Sequence, residues 1–333
     1  MTPEERRRLV EILSANVGFE DPESWVEFAS THGFRRVPAI KLTRCPDCGS
    51  QPGRSYGQYV YYSTLLHLVN CDTCGLIWVD ARLDDSTIRQ HFESAYKDPS
   101  YFAKQRRPIF QEIAALIDAR TPHGGSVLDI GGATGELLAM VQKRRADVRP
   151  VLNDLSQLAC EQASARLGIE TRCCDLLSLR SAAIRYDTVV CSDVLYYETQ
   201  IDRVWPTLRQ LVRPNGTLIV RLPNKARAIT GGALWRDATS GFGDRGAGSN
   251  IAFFNPEHLY VFRRAYVERR LRESGFANVQ AYPSHPLGGG VLKTVLARAL
   301  YGGAAAIYRL SLGQLVVTPS MLVTATGERD VGR

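Results

Sequence analysis

From residue 126 onward the chain alternates apolar, β-branched runs with stretches of helical period, and the first run ends in a glycine turn, Val127-Leu128-Asp129-Ile130-Gly131-Gly132-Ala133-Thr134-Gly135. Strands read at 126–131, 149–153, 169–174, 186–192, 216–222, 277–282 and 316–326, and helices at 135–146, 156–167, 201–212, 264–274 and 291–311. Regular alternation of this kind builds a mostly parallel sheet with helices on both faces. The fold class expected is therefore α/β, a seven-stranded doubly wound sheet. A glycine turn that opens a helix points backbone N–H groups and a positive helix end at whatever binds there, so a nucleotide-type cofactor is expected at the strand ends.

Ahead of this pattern stand two matched knuckles, Cys45-Pro46-Asp47-Cys48-Gly49 and Cys71-Asp72-Thr73-Cys74-Gly75. Each can place two thiolates on one tetrahedral metal, and the glycine after the second cysteine lets the backbone turn back toward the sulfurs. Doubled knuckles of this spacing favour a closed, structural Zn2+ site over a disulfide pair or four buried thiols. Tyr59-Val60-Tyr61-Tyr62 and Leu65 to Val69 lie between them as hairpin strands of a small zinc ribbon, the tyrosines covering the metal rather than stacking bases. Cys160, Cys173, Cys174 and Cys191 have no ligand spacing and read as core residues.

With 333 residues the chain suits one large domain with smaller attachments. The expected division is a helical arm at 1–44 (helices 3–16 and 22–32), the ribbon at 45–80, linking helices and a lid at 81–120 with a helix at 108–119, and a cofactor domain at 121–333. Within that domain, insertions at 223–262 and 284–315 cover the substrate. No apolar core follows the basic start Arg6-Arg7-Arg8, which, with the reduced cysteines, gives a cytoplasmic expectation. A net charge of +7 favours an anionic partner without naming one. The apolar stretch 297–315 is too broken by Arg298, Arg309 and Gly302-Gly303 to span a bilayer. Its face of Leu292, Val295, Leu296, Ala299, Leu300 and Ile307 is expected to pack on a core, with peripheral membrane contact as the alternative.

Three features narrow the cofactor. Asp154 ends the second strand where a carboxylate can accept both ribose hydroxyls, with Leu155 beside it. Asp175 ends the third, in reach of an adenine amine, with Leu176 over the ring. Ser192 and Asp193 close the fourth at the crevice. Together with Asp129, Gly131, Gly132, Ala133 and Gly135, and with Leu211 to Leu218 before the fifth strand, these residues resemble the ordered motifs of the class I S-adenosylmethionine-dependent methyltransferases. The resemblance spans roughly 105–283, with Ala133 standing where the family's middle glycine falls, and it implies a Rossmann-like sheet and S-adenosyl-L-methionine as cofactor. Asp129 is then expected to anchor the turn and face the methionyl ammonium. A dehydrogenase lacks this series of motifs, though Asp154 and Asp175 can also be read as solvated strand ends.

Methyl transfer needs donor and acceptor held in line and the acceptor's proton removed. His258, in Phe254-Asn255-Pro256-Glu257-His258-Leu259-Tyr260-Val261-Phe262, is the candidate base, an imidazole expected to titrate near neutrality. A packed lid histidine is the other reading of it. The segment resembles a Pro-x-His-Leu stretch in small-molecule methyltransferases that also carry a double-knuckle ribbon, and there Tyr96, Tyr101 and Phe102 would help close the site. Tyr196 and Tyr197 replace the Glu-His of many relatives, leaving Tyr197 as a hydrogen-bonding wall. Trp235 and Phe242 are candidates to stack on a sugar. Arg221, Asn224, Arg227 and Arg236 are candidates for an anionic group. The acceptor expected is a small or carrier-linked molecule, foremost a sugar hydroxyl. The alternatives are an RNA methyltransferase gripping nucleic acid with its ribbon, which the balance of Lys41, Arg44 and Arg54 against Asp47, Asp72 and Asp80 disfavours, and a non-catalytic binding protein. Oligomeric state is not legible in the sequence.

Overall fold

The computed structural model describes residues 7, 39–61, 64–85, 100–182, 184–231, 258–286 and 291–328. The chain divides into two compact units, one formed by residues up to 88 with 196–199 and 225–266, the other by 89–195, 200–224 and 267–333. Residues 225–266, expected within the cofactor domain, thus group with the cysteine module.

In the smaller unit, β1 (Ala39–Lys41) pairs with β5 (Ala81–Leu83). The hairpin β2 (Ser55–Tyr61) and β3 (Thr64–Asn70) continues into β4 (Ile77–Val79), and a strand from far along the chain, Tyr260–Val261, pairs antiparallel with β4. This last pairing is the physical reason the division differs from the expected one. It completes a four-stranded sheet whose Leu66, Leu68, Ile77 and Val79 pack with Ala226, Ile229 and Val261.

The larger unit begins with α1 (Ser100–Arg120), which starts eight residues before the expected Pro108. Pro108 lies inside the helix, where it removes one backbone donor without ending it. Then follow β6 (Ser126–Ile130), α2 (Glu136–Arg144), β7 (Arg149–Asp154), α3 (Gln157–Leu167), β8 (Glu170–Cys173), β9 (Tyr186–Ser192), α4 (Ile201–Leu211) and β10 (Val212–Pro223). After β11, the Tyr260–Val261 strand, come α5 (Arg264–Glu273), β12 (Phe276–Pro283), α6 (Val291–Leu310) and β13 (Ser320–Gly327). The sheet order is β12-β13-β10-β9-β6-β7-β8, parallel except for β13, which runs antiparallel to both neighbours. The order reverses between β6 and β9, and a ligand crevice forms at such a switch point. Ile109, Ile113 and Ile117 of α1 pack with Leu137, Leu138 and Val141 of α2 over Val127, Leu152 and Val190 of the sheet.

The last strand starts at Ser320, not 316, because the Asn224 amide takes the carbonyls of Val316 and Thr318, which bends that segment out of the sheet. In the part of helix α6 whose side chains are described, Tyr301, Ala304 and Tyr308 turn inward, while Leu300 and Ile307, assigned to the packed face, are exposed. Cys173, expected in the core, is likewise exposed on the edge strand β8. The helices expected at 3–16 and 22–32 lie outside the described residues, residue 7 apart.

Candidate active site and metal centre

The two knuckles meet. One ligand atom from each of Cys45, Cys48, Cys71 and Cys74 lies within 4.8 Å of all the others, with Cys45 Sγ 3.6 Å from Cys74 Sγ and Cys48 Sγ 3.5 Å from Cys71 Sγ. A disulfide needs about 2.05 Å. Four sulfurs at about 2.3 Å from one tetrahedral zinc stand about 3.8 Å apart, so this donor set fits the ion. Gly49 and Gly75 both hold left-handed backbone and donate N–H to the carbonyls of Cys45 and Cys71, and the Cys74 N–H points at Cys71 Sγ. The hydrogen bond from Cys74 pulls the Cys45 thiol down to about 5, and the same contact with burial pushes Cys74 up.

At the switch point, Gly131 has φ 65° and a Cβ there would stand 2.4 Å from Val194, so only glycine makes the turn. Ala133 holds φ 50°, a left-handed conformation that strains any residue with a side chain, so the substitution for glycine adds more than a methyl group. Asp154 is buried, with Oδ2 accepting from Ala133 N and Oδ1 from Ser156 N, both at 2.9 Å; the expected ribose carboxylate is also the anchor of the turn. Leu155 is half-buried beside it. Asp129 is buried and no cation among the described residues faces it, so burial, with the Asp154 carboxylate, holds its carboxyl up to about 8. Ser192 Oγ is buried and has no hydrogen-bond partner among the described residues. Asp175 is exposed and caps the 3-10 helix Leu176–Ala182, accepting from Ser178 N and Oγ, while Leu176 is packed inside. A glycine cradle, an uncompensated buried carboxyl and an orphaned hydroxyl fit a cofactor that carries an ammonium and hydroxyls.

A family model described as a methyltransferase domain matches residues 101–281, more than half of the chain. This chain belongs to that methyltransferase family. It is an S-adenosylmethionine-dependent enzyme, which removes the dehydrogenase and non-catalytic readings. No curated protein matches it. Among solved structures, the methyltransferase is similar to the N-methyltransferase NodS from Bradyrhizobium japonicum in complex with S-adenosyl-L-homocysteine, at 15% identity over 73% of this chain and 99% of that one, TM-score 0.46. A SAM-dependent methyltransferase from Archaeoglobus fulgidus is 12% identical over 68% of this chain and 99% of its own, TM-score 0.43. An O-methyltransferase family protein from Burkholderia thailandensis is 18% identical over 74% and 61%, TM-score 0.45.

In the smaller unit, His258 is buried and stacks on Tyr196, ring centroids 3.7 Å apart, with Tyr197 edge-on at 5.7 Å. Leu259 N donates to Tyr196 O, tying the histidine's neighbour to the segment that follows β9. Burial, helped by the nearby Lys225 charge, pulls His258 down to about 3, which corrects the expectation of titration near neutrality. Trp235, Arg236, Phe242 and Tyr96 lie outside the described residues; Tyr101 is in the first turn of α1, and its side chain is not described.

Arg221 is not at the surface. It is 3% exposed and its guanidinium is committed to Asp193, to Ser284 Oγ at 3.0 Å and to the His285 carbonyl at 3.0 Å, so it is already neutralised and unavailable to an anion. Asn224 is spent on the 316–318 carbonyls. Sequence reasoning missed the rest of this network: Arg106 lies 3.3 Å from Asp193, and Glu112 accepts from Ser284, His285 N and Tyr301. Glu112 carried a signal, a carboxylate between Ile109 and Ile113 on the buried face of α1. Arg263 is engaged as well: it donates to Asn70 Oδ1, Gly75 O and Tyr56 Oη at 2.7, 2.5 and 2.9 Å.

Proposed function

We propose that this methyltransferase methylates a hydroxyl of a small or carrier-linked acceptor, a sugar in glycan or natural-product assembly, with His258 receiving the proton and the four cysteines holding a structural zinc. The observation that carries the reading is His258 itself: a buried imidazole, oriented by its stack on Tyr196 and kept neutral by burial and by Lys225. A neutral ring keeps an acceptor nitrogen available at every physiological pH. When bound, S-adenosylmethionine supplies a methyl group on a sulfonium sulfur. Asp129 and Ser192 would face its methionyl end, Asp154 and Leu155 its ribose, and Asp175 and Leu176 its adenine. Such weak basicity is no obstacle, since an attacking hydroxyl becomes strongly acidic as its oxygen gains the methyl. His258 therefore orients the hydroxyl first and takes the proton late. Tyr197, edge-on to the ring, lines the same place.

A small acceptor is favoured over RNA because the ribbon's charges balance, Lys41, Arg44 and Arg54 against Asp47, Asp72 and Asp80. Asp80 pairs with His67 at 2.8 Å, and Arg44 donates to the Gly49 carbonyl. Incubation with methyl-labelled donor and a panel of glycosides, nucleotide sugars and total RNA tests the reading. Label in a sugar fraction, lost by about 10²–10⁴-fold in His258→Ala with donor affinity unchanged, is expected. Label in RNA alone would overturn the acceptor class, and near-normal turnover of the variant at saturating acceptor would remove His258 from the chemistry.

A further inference from the structure

Six of the eight large hydrophobic side chains that are exposed among the described residues fall between residues 300 and 317. Leu300 is 66% exposed, Leu310 85% and Leu312 91%, with Ile307, Leu315 and Val317 beside them in sequence. They end α6 and occupy the turn that follows. That turn is firmly built: Gly313 N donates to Tyr308 O at 2.8 Å, Leu312 N to Arg309 O at 3.0 Å, and Leu315 N to Ser311 Oγ at 2.9 Å. Leu312 has φ 52°, a conformation that suits glycine or asparagine. A leucine there goes against both the local backbone preference and the preference of water, and an outlier of this kind points to function.

The charge of the segment says what covers it. From Ser274 to Gly327 the sequence has no aspartate or glutamate, while α6 carries Lys293, Arg298 and Arg309. No helix is long and apolar enough to cross a membrane. We propose that the end of α6 and its turn dock on an anionic lipid bilayer, Leu310 and Leu312 entering the interface and Arg309 lying among the headgroups. Leucines at an exposed tip supply the apolar term, and the basic residues of α6 supply attraction that salt screens, the nearby Glu112 carboxylate being held by Tyr301, Ser284 and the His285 N–H.

The test is co-sedimentation of the full-length, zinc-loaded chain with phosphatidylcholine vesicles containing about one-third phosphatidylglycerol, against phosphatidylcholine alone. Binding to the anionic vesicles only, weakened by salt and lowered at least about tenfold by Leu310→Asp with Leu312→Asp, is expected. Leu312→Asn serves as the second variant: it suits the turn, so it should fold at least as well and still bind vesicles more weakly. Equal pelleting of wild type and variants, or no pelleting, overturns the proposal. So does a concentration-dependent dimer in sedimentation velocity that the same substitutions abolish, because a second copy would then be the occupant.

Discussion

Asp129 is a buried carboxyl that no cation among the described residues compensates. Its folded value, raised to about 8 from 3.8, means the folded chain holds a proton that the unfolded chain has released between those values. Ligand-free stability should therefore fall as pH rises through that window, by a few kcal/mol at most. Asp129→Asn should flatten the decline, as thermal melting across pH would show, and an unchanged slope would mean the carboxyl is compensated by another group. With Asp129 facing the cofactor ammonium, as proposed, S-adenosylmethionine should raise the wild-type melting temperature most at the alkaline end. His258 has the opposite sign. Its value, lowered to about 3 from 6.5, means stability is lost as pH falls through that range, while the transfer rate should show no acid limb from this residue near neutrality. A rate that drops with an apparent pKa near 6.5 would contradict the buried, neutral imidazole. The glycines, Asp154 and the four cysteines were legible because turn geometry and ligand spacing are written into local sequence. The commitments of Arg221 and Arg263 were not, since each depends on partners brought together by the fold: Arg221 on Asp193 and Ser284, Arg263 on Tyr56 and Gly75.

At the scale of elements, the pairing of β11 with β4 joins the zinc module to the strand that follows His258. Val79 N donates to Leu259 O at 3.0 Å, next to the histidine, and Arg263 clasps the second knuckle through the Gly75 carbonyl. The four cysteines and His258 thus belong to one compact unit. Removing zinc with a chelator should speed amide exchange at Val79 and Leu259 and lower turnover more than it lowers donor affinity. Arg263→Met deletes three hydrogen bonds and should destabilise this unit by about 1.5–3 kcal/mol while speeding zinc loss. Exchange at Leu259 that ignores the metal would separate the two. Most strands and helices were readable from alternation, because parallel βα units repeat one local rule. The two-residue β11 was not readable, since its partner lies more than 180 residues away and nothing local marks it. The burial of α6 was misread for a related reason: periodicity finds a stripe, but only the packing partners, Tyr282 and His285 of the β12 end, decide which stripe turns inward.

The whole molecule combines a doubly wound sheet, whose cofactor motifs sit at the switch point between β6 and β9, with a four-cysteine unit that carries His258. Its central claim is that the sheet is a working S-adenosylmethionine site held by Asp154 and the strained turn at Ala133. Calorimetric titration of the zinc-loaded chain with S-adenosylmethionine, S-adenosylhomocysteine and NAD tests this most directly. The two adenosyl ligands should bind, NAD should not, and Asp154→Ala, which loses the turn anchor and the proposed ribose partner, should weaken binding by about 1–3 kcal/mol. Binding of NAD in their place, or an Asp154→Ala affinity equal to wild type, would contradict the account.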